Sequence, residues 1–297
     1  MMRKKPMLAY PVSSKPIDYT KPVFMQPKLD GVRCVIQAEE KFVKEPRGVD
    51  DSARIFKTVV TAYSRTGKEW KNIDHILQSL EPFFRANPNV ILDGELYNHA
   101  LKDDFEKIIS CVRKQKPTDI DRAESRKLVQ FHCYDIVDET MPFADRIQWL
   151  HTEFARFPYG VRVVNTTHIK YEFDANSFHE SCLEQGYEGS ILRLNDMYQC
   201  KRSHSLRKFK DFHDAEATIT DWVEGKGKRK GTIGKFMAID TDGNEFGMPV
   251  MDKFKKLQTM FKEMQGWVGQ TATFTYFERT KAGSYRHPLF KCIRNYE

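Results

Sequence analysis

A lysine acts as a nucleophile only as the neutral amine, which requires desolvation or nearby positive charge to lower its pKa. The octet Gln26-Pro27-Lys28-Leu29-Asp30-Gly31-Val32-Arg33 sets a lysine where such chemistry is possible. The apolar runs Val23-Phe24-Met25 and Cys34-Val35-Ile36 on either side read as short strands, and Pro27 and Gly31 punctuate the turn between them. The bend brings Asp30 and Arg33 near Lys28, and an arginine at that spacing can hold a ribose hydroxyl or a phosphate. An ordinary solvated hairpin accounts for the same letters. By residue usage, Lys-x-Asp-Gly-x-Arg arises by accident in on the order of a few in a thousand chains of this length, so the downstream spacing decides.

Several downstream elements carry polar groups of their own. Val90-Ile91-Leu92-Asp93-Gly94-Glu95-Leu96 reads as a buried strand. A β-bulge with solvated acids would explain Asp93 and Glu95, yet two acids in an apolar strand are costly unless paired or bound to a cation or ligand. Leu128 to Val137 is strand-like and holds His132, read as structural, and Tyr134, which as a lone feature reads as core. Glu188-Gly189-Ser190-Ile191-Leu192-Arg193 follows a helix closed by Gly186. Lys201 to Lys210 holds five basic residues and no acid, and strand alternation at Lys208-Phe209-Lys210 puts both lysines on one side. Cations there would neutralise a phosphoryl group and favour a neutral Lys28.

Helices are expected where apolar residues share one face: Ile73, Ile76, Leu77, Leu80 and Phe84; Phe105 to Val112; Ile147, Leu150 and Phe154; and Phe178, Cys182 and Leu183. Residues 1–22 read as irregular, and Ala38 to Val60 as a charged loop with one helical turn around Ala53–Val59. Beyond Asp211 short strands crowd together at Ala217–Val223, Ile233–Ile239, Thr271–Phe277 and Tyr285–Ile293, interrupted by one helix, Met251 to Met264. That pattern fits an OB-fold. Its loop Gly225-Lys226-Gly227-Lys228-Arg229-Lys230-Gly231 reads as a DNA-backbone clamp or, nearly as well, a solvated hairpin tip.

In this order the motifs resemble those of the covalent nucleotidyltransferases, and among them the small viral or bacteriophage type of ATP-dependent DNA ligase. The octet resembles the nucleotidyl-lysine motif, and Ser64-Arg65-Thr66-Gly67 the arginine motif that follows it. Asp93-Gly94-Glu95-Leu96, Tyr134 with Asp135, Glu188 to Arg193, and Lys208-Phe209-Lys210 resemble successive family motifs, and Arg286 to Arg294 the C-terminal one. The resemblance spans residues 26 to 294. It implies that Lys28 attacks the α-phosphate of ATP, with Gln26 at the adenine edge, where relatives often carry an acid, and Tyr134 on its face. It implies that Arg33, Arg65, Glu95, Lys208 and Lys210 hold sugar or phosphates, that Glu188, with Glu95, meets Mg²⁺ or Mn²⁺, and that Arg286 serves the ATP step. Ser190 stands where relatives carry an apolar residue.

The implied fold is α+β: an adenylation domain of antiparallel sheets flanked by helices over 1–211, then an OB-fold over 212–297. The implied partners are ATP and nicked duplex DNA. An RNA ligase is the runner-up, and a capping guanylyltransferase shares the lysine motif; a binding module on a decayed ligase scaffold is the non-enzymatic alternative. NAD as adenylate donor is disfavoured, because that branch carries an extra N-terminal domain and a cysteine zinc site.

Composition agrees with a soluble enzyme of two domains. The chain has 297 residues, 40% hydrophobic and 30% charged, with a formal net charge of +7 compatible with a polyanion. No apolar run approaches the ~18 residues of a membrane span, and the basic start Met1 to Pro6 lacks the apolar core of a secretory signal. Six scattered cysteines without a Cys-x-x-Cys pair suit free thiols in a reducing compartment. A monomer in the cytoplasm is expected, the host's for a viral protein, with the nucleus also open.

Overall fold

The computed structural model describes residues 4–43, 55–154, 158–210, 212–280 and 283–294. The strands are β1 (Leu8–Pro11), β2 (Val23–Lys28), β3 (Val32–Val43), β4 (Ile55–Tyr63), β5 (Ile91–Tyr97), β6 (Gln130–Ile136), β7 (Val161–Val163), β8 (Thr167–Ile169), β9 (Gly189–Leu194), β10 (Arg202–Phe209), β11 (His213–Glu224), β12 (Ile233–Ile239), β13 (Glu245–Pro249), β14 (Thr271–Tyr276) and β15 (Leu289–Ile293). The helices are α1 (Asp74–Ala86), α2 (Phe105–Val112), α3 (Asp119–Leu128), α4 (Phe143–Glu153), α5 (Glu172–Glu184), α6 (Phe254–Lys262) and α7 (Met264–Trp267). Two compact units result, Met1–Phe209 and Lys210–Glu297. The mixed α+β class expected from sequence is what forms.

In the first unit one sheet runs β1-β10-β9-β2-β8 and another β4-β3-β5-β6-β7, antiparallel except for the pairs β1 with β10 and β6 with β7. Each sheet has a helix-covered face. Val23, Met25 and Leu192 pack with Ala175 of α5, while Ile36, Leu92 and Phe131 join Ile76, Leu80 and Phe84 of α1 and Leu150 of α4 in the main core. Burying each such side chain contributes roughly 1.5–3 kcal/mol before chain entropy is counted. Between the sheets the apolar filling is smaller: Met7, Val35, Ile91, Tyr198 and Leu206. The rest of that interior is polar, and it contains the site.

The second unit is a five-stranded antiparallel sheet ordered β13-β12-β11-β14-β15. Phe236, Met248, Ala272 and Phe274 pack there with Leu257 and Met260 of α6. Among the described residues no ladder joins the edge strands β13 and β15.

The expected loop at Ala38–Val60 is corrected. β3 runs on to Val43 and pairs with β4 from Val43↔Ile55 back to Ala38↔Val60, so a long hairpin stands there. The part of the expected helical turn at 53 and 54 lies outside the described residues; Ile55 to Val59 is strand. A two-stranded extension buries too little to impose an alternating apolar pattern, and charge-rich strands read as loop. Strands β1, β8 and β13 and helix α3 also escaped the sequence reading. β13 carries Gly247 and Pro249, which weaken a strand signal. α3 is mostly polar and is set by a Thr118–Asp121 capping box rather than by an apolar stripe.

Candidate active site

Period-2 alternation in β2 sends Val23 and Met25 toward α5, and Phe24, Gln26 and Lys28 to the opposite face, between the sheets. The antiparallel register places Lys28 opposite Gly189 and Gln26 opposite Ile191 on β9, and Ile191 opposite Lys208 on β10. Gly189 has φ +141°, and a Cβ there would meet the Phe209 carbonyl oxygen at 2.4 Å. Only glycine lets the end of β10 close against this position. Glu188, just before β9, accepts from the Lys28 ammonium through its largely buried carboxylate. Burial pulls the Lys208 pKa down; repulsion from Lys28 adds to this and Glu188 opposes it. The amine, one carboxylate and a second cation therefore share one electrostatic neighbourhood.

The facing sheet supplies the rest. Asp93 pairs with Asp135 but Gly94 with Cys133, so Tyr134 is the extra residue of a β-bulge. Bulges re-aim side chains. Here the Tyr134 hydroxyl donates to Glu95 Oε2 at 3.3 Å, and the ring lies beside the guanidinium groups of Arg33 and Arg193, 5.1 and 5.4 Å from its centre. A Cβ at Gly94 would strike the His132 carbonyl oxygen and the Phe131 ring, both at 2.5 Å. Desolvation pushes the Glu95 carboxyl up to about 7, against the pull of Arg33 and Lys28. Arg33 is held bidentately by Asp93, Nε to Oδ1 at 2.7 Å and Nη2 to Oδ2 at 2.6 Å, and Tyr198 donates to the same carboxylate at 2.7 Å. Burial works against the Arg33 charge, but Asp93 and its neighbours outweigh it and keep the guanidinium pKa well above its ordinary value.

Gln26 has its amide committed within the protein. Nε2 donates to the Tyr134 carbonyl at 3.1 Å and to Thr166 Oγ1 at 2.9 Å, while Oε1 accepts from Arg193 Nε at 2.7 Å. Arg193 also donates to Asp135, which takes two further bonds from Arg146, and all three charged groups are buried. A buried charge survives only when paired in this way.

Lys28, Glu188, Lys208, Glu95, Tyr134, Arg33 and Gln26 thus form one connected constellation. Arg65 is exposed on the turn after β4, where the Ser64 carbonyl accepts from Gly67 N. Lys210 and Arg286 belong to the second unit. β10 ends at Phe209, so alternation does not carry Lys210 alongside Lys208. The Lys210 ammonium lies 3.5 Å from the centre of the Phe277 ring, with the Arg286 guanidinium 5.8 Å from the same ring and paired to Glu278. The His132 ring nitrogen lies 3.1 Å from Gln130 Oε1, and its ring meets the edge of Tyr97.

Sequence reasoning assigned no role to Arg193, Asp135, Arg146 or Tyr198, and it expected Asp93 to be paired or bound without naming Arg33 as its partner. Arg146 left a signal: it shares the buried face of α4 with Phe143, Ile147 and Leu150, and a charge on such a face implies a buried partner. Tyr198 sits outside any strand or helix and left none.

For a metal, the donors available are the carboxylates of Glu188 and Glu95. Hard oxygen ligands in so small a number suit a divalent ion that completes its shell with water and phosphate oxygens. Among the described residues no three His, Cys, Asp or Glu side chains form a closed cage. The residues fit an ion that arrives with a phosphate.

Comparison with known proteins agrees with this geometry. The family model "ATP dependent DNA ligase domain" matches residues 49–210, more than half of the chain, and Lys28 lies N-terminal to the match. A Lig E DNA ligase structure is similar over 99% of this chain and 100% of that one, with 22% identity and a TM-score of 0.74. The structure called Pmar-Lig_PreS3 covers 98% of this chain, by 67% of its own, with 21% identity and a TM-score of 0.77. The ATP complex of the bacteriophage T7 ATP-dependent DNA ligase covers 98% of both chains with 16% identity and a TM-score of 0.50. At these identities the structures speak for the fold. No curated protein matches the chain in sequence. By the match across its central region, carried on an interior that gathers an amine, carboxylates and cations, the chain belongs to the ATP-dependent DNA ligase family, enzymes that form phosphodiester bonds.

Proposed function

We propose that the enzyme seals nicks with a 3′-hydroxyl and a 5′-phosphate in duplex DNA, through an adenylate carried on Lys28. The observation that carries this is the Lys28–Glu188 contact at the end of β2, with Lys208 and Glu95 in the same field. Lys28 Nζ, once deprotonated, attacks the α-phosphorus of ATP; an N–P bond forms and the bond to pyrophosphate breaks. The 5′-phosphate of the nick then takes the AMP from the lysine, breaking the N–P bond. Finally the 3′-hydroxyl attacks that phosphate, forming the phosphodiester and releasing AMP.

In this reading Tyr134 stacks on the adenine, and its ring is held in place by Arg33, Arg193 and Glu95. Gln26, with its amide already committed, retains at most the second lone pair of Oε1 for the adenine edge. Arg33 is oriented by Asp93 to face the ribose or a phosphate, and Lys208 stabilises the charge that develops on the α-phosphate. Glu188 and Glu95 hold the divalent ion, Mg²⁺ or Mn²⁺, which supplies charge neutralisation at the phosphates. The unit from 212 onward is read as an OB-fold that brings Arg286 to ATP and then grips DNA, after an adenylation domain that ends near 211 and includes Lys210. Incubation with ATP labelled at the α-phosphate, followed by a chase with nicked DNA or nicked RNA duplexes, tests this. Label should enter the protein, then leave as AMP with sealing of DNA; label that moves only onto RNA ends contradicts the proposal.

A further inference from the structure

Arg286 sits between two fixed neighbours. Its backbone pairs with the segment after β14: Arg286 N donates to the Glu278 carbonyl at 2.8 Å, and Phe277 N donates to the Arg286 carbonyl at 3.0 Å. Its guanidinium is ion-paired with the Glu278 carboxylate and lies 5.8 Å from the centre of the Phe277 ring. Alternation sends the Tyr285 side chain to the opposite side. There it is buried and packs on Phe246, Phe274 and Tyr276, with ring centres 4.6, 4.8 and 4.8 Å away.

A buried tyrosine ring still needs a partner for its hydroxyl. Tyr285 donates to Asp240 Oδ2 at 2.8 Å. Arg279 donates to the Tyr285 hydroxyl and, at 3.3 Å, to the same carboxylate oxygen. Asp240 is itself fixed, because its Oδ1 accepts from Asp242 N at 2.9 Å and Asn244 N at 2.8 Å and so caps the turn between β12 and β13. Burial opposes the Asp240 charge, but bonds from Asn244, Tyr285 and Asp242 hold its carboxyl down at about 2. Burial, and then Asp240, pushes the Tyr285 hydroxyl up to about 12, so it remains a donor at neutral pH. A hydroxyl donating to an ionised carboxylate is a strong, directional bond. On the other side of Arg286, His287 has φ +54°, the one positive φ outside glycine among the described residues. Such a backbone persists only where its surroundings enforce it.

We propose that Asp240 and Tyr285 are positioning residues for Arg286: their bond, with the left-handed turn at His287, fixes the register that presents the guanidinium to the phosphates leaving as pyrophosphate. Filling the core would need only the Tyr285 ring. The hydroxyl adds a fixed point one residue before the arginine, anchored to a different hairpin of the same unit. This rests on the reading in which Arg286 serves the ATP step.

The test uses the full chain. Tyr285→Phe keeps the ring and removes the bond. Single-turnover adenylation should slow about tenfold, since a misplaced group loses much of the benefit of orientation, while a pre-adenylated nick is sealed at the wild-type rate. In an Arg286→Ala background the same substitution should have no further effect, because both act through one group. Losses that multiply, or an equal fall in both steps, would overturn the proposal, since Tyr285 would then hold the unit together rather than aim the arginine. At His287, Asn accepts a left-handed backbone and Val does not. His287→Asn should therefore adenylate near the wild-type rate and His287→Val about tenfold more slowly; equal rates for the two would overturn the proposal. If Tyr285→Phe does not fold, the His287 pair decides the matter. The reaction of Arg286 with phenylglyoxal, read by peptide mass mapping, should be faster in Tyr285→Phe than in wild type, and an unchanged reaction would overturn the positioning whatever the kinetics. If Arg286→Ala adenylates at the wild-type rate, the role of Arg286 in the ATP step fails, and the phenylglyoxal result alone judges the positioning.

Discussion

Arg193 donates from Nε to Gln26 Oε1 at 2.7 Å, and this contact ties the strand bearing Lys28 to a buried network of Arg193, Asp135 and Arg146. Removing the amide strands two groups at once, the Arg193 Nε–H and the Tyr134 carbonyl. Gln26→Ala should therefore cost about 3–5 kcal/mol, the range for breaking hydrogen bonds to a buried charge. Gln26→Glu should cost less, because the new carboxylate pairs with Arg193 although it faces the Tyr134 carbonyl. Urea unfolding of both variants checks the order, and a loss under 1 kcal/mol for Gln26→Ala would show that the network does not depend on this residue.

Glu95 makes stability depend on pH. Its carboxyl is raised from an ordinary 4.5 to about 7 by desolvation. Between those values the folded protein binds more protons than the unfolded chain, so this group's contribution falls as pH rises through the window. It is flat below the lower value and above the upper one. The change is at most about 3 kcal/mol. Glu95→Gln should abolish that slope; a variant retaining the full wild-type pH profile would assign the titration elsewhere.

Much of this site was legible because its residues lie in short local patterns. Lys28 and Arg33 flank one turn, Asp93 and Glu95 share one strand, and Glu188 and Lys208 sit at strand ends marked by glycine or alternation. Their pairing was not legible. That Asp93 would clamp Arg33, or that Gln26 would be spent on Tyr134, Thr166 and Arg193, depends on register between strands far apart in sequence. The bulge that aims Tyr134 is likewise a property of two strands together. In the fold, elements with a buried stripe such as α1 were readable. Those set by caps, as α3, or by pairing alone, as the outer β3–β4 hairpin, were not.

Arg286 tests the role of the second unit. It is paired with Glu278 and lies over Phe277, the ring that also carries Lys210. If it stabilises departing pyrophosphate, Arg286→Ala should slow enzyme adenylation on the order of a hundredfold and leave sealing of a pre-adenylated nick near the wild-type rate. Single-turnover rates of the two steps check this. A defect confined to sealing would make Arg286 a DNA contact instead.

The loop between β11 and β12 is short and basic, with exposed Lys226, Lys228, Arg229 and Lys230 around a single 3₁₀ turn at Gly227–Arg229. Replacing these four with Ala should weaken duplex binding and flatten its salt dependence by roughly 0.9 per lost phosphate contact while sparing adenylation. An unchanged slope would leave the loop a solvated hairpin tip.

The account stands on Lys28 as the residue that carries AMP. Arginine keeps the charge beside Glu188 but is a poor nucleophile. The decisive measurement is covalent transfer of label from α-labelled ATP to Lys28→Arg, read beside wild type after denaturing electrophoresis. The account predicts a labelled wild-type band, no labelled variant band, and a variant that still seals a nick already carrying 5′-AMP; stable label on the variant would contradict it.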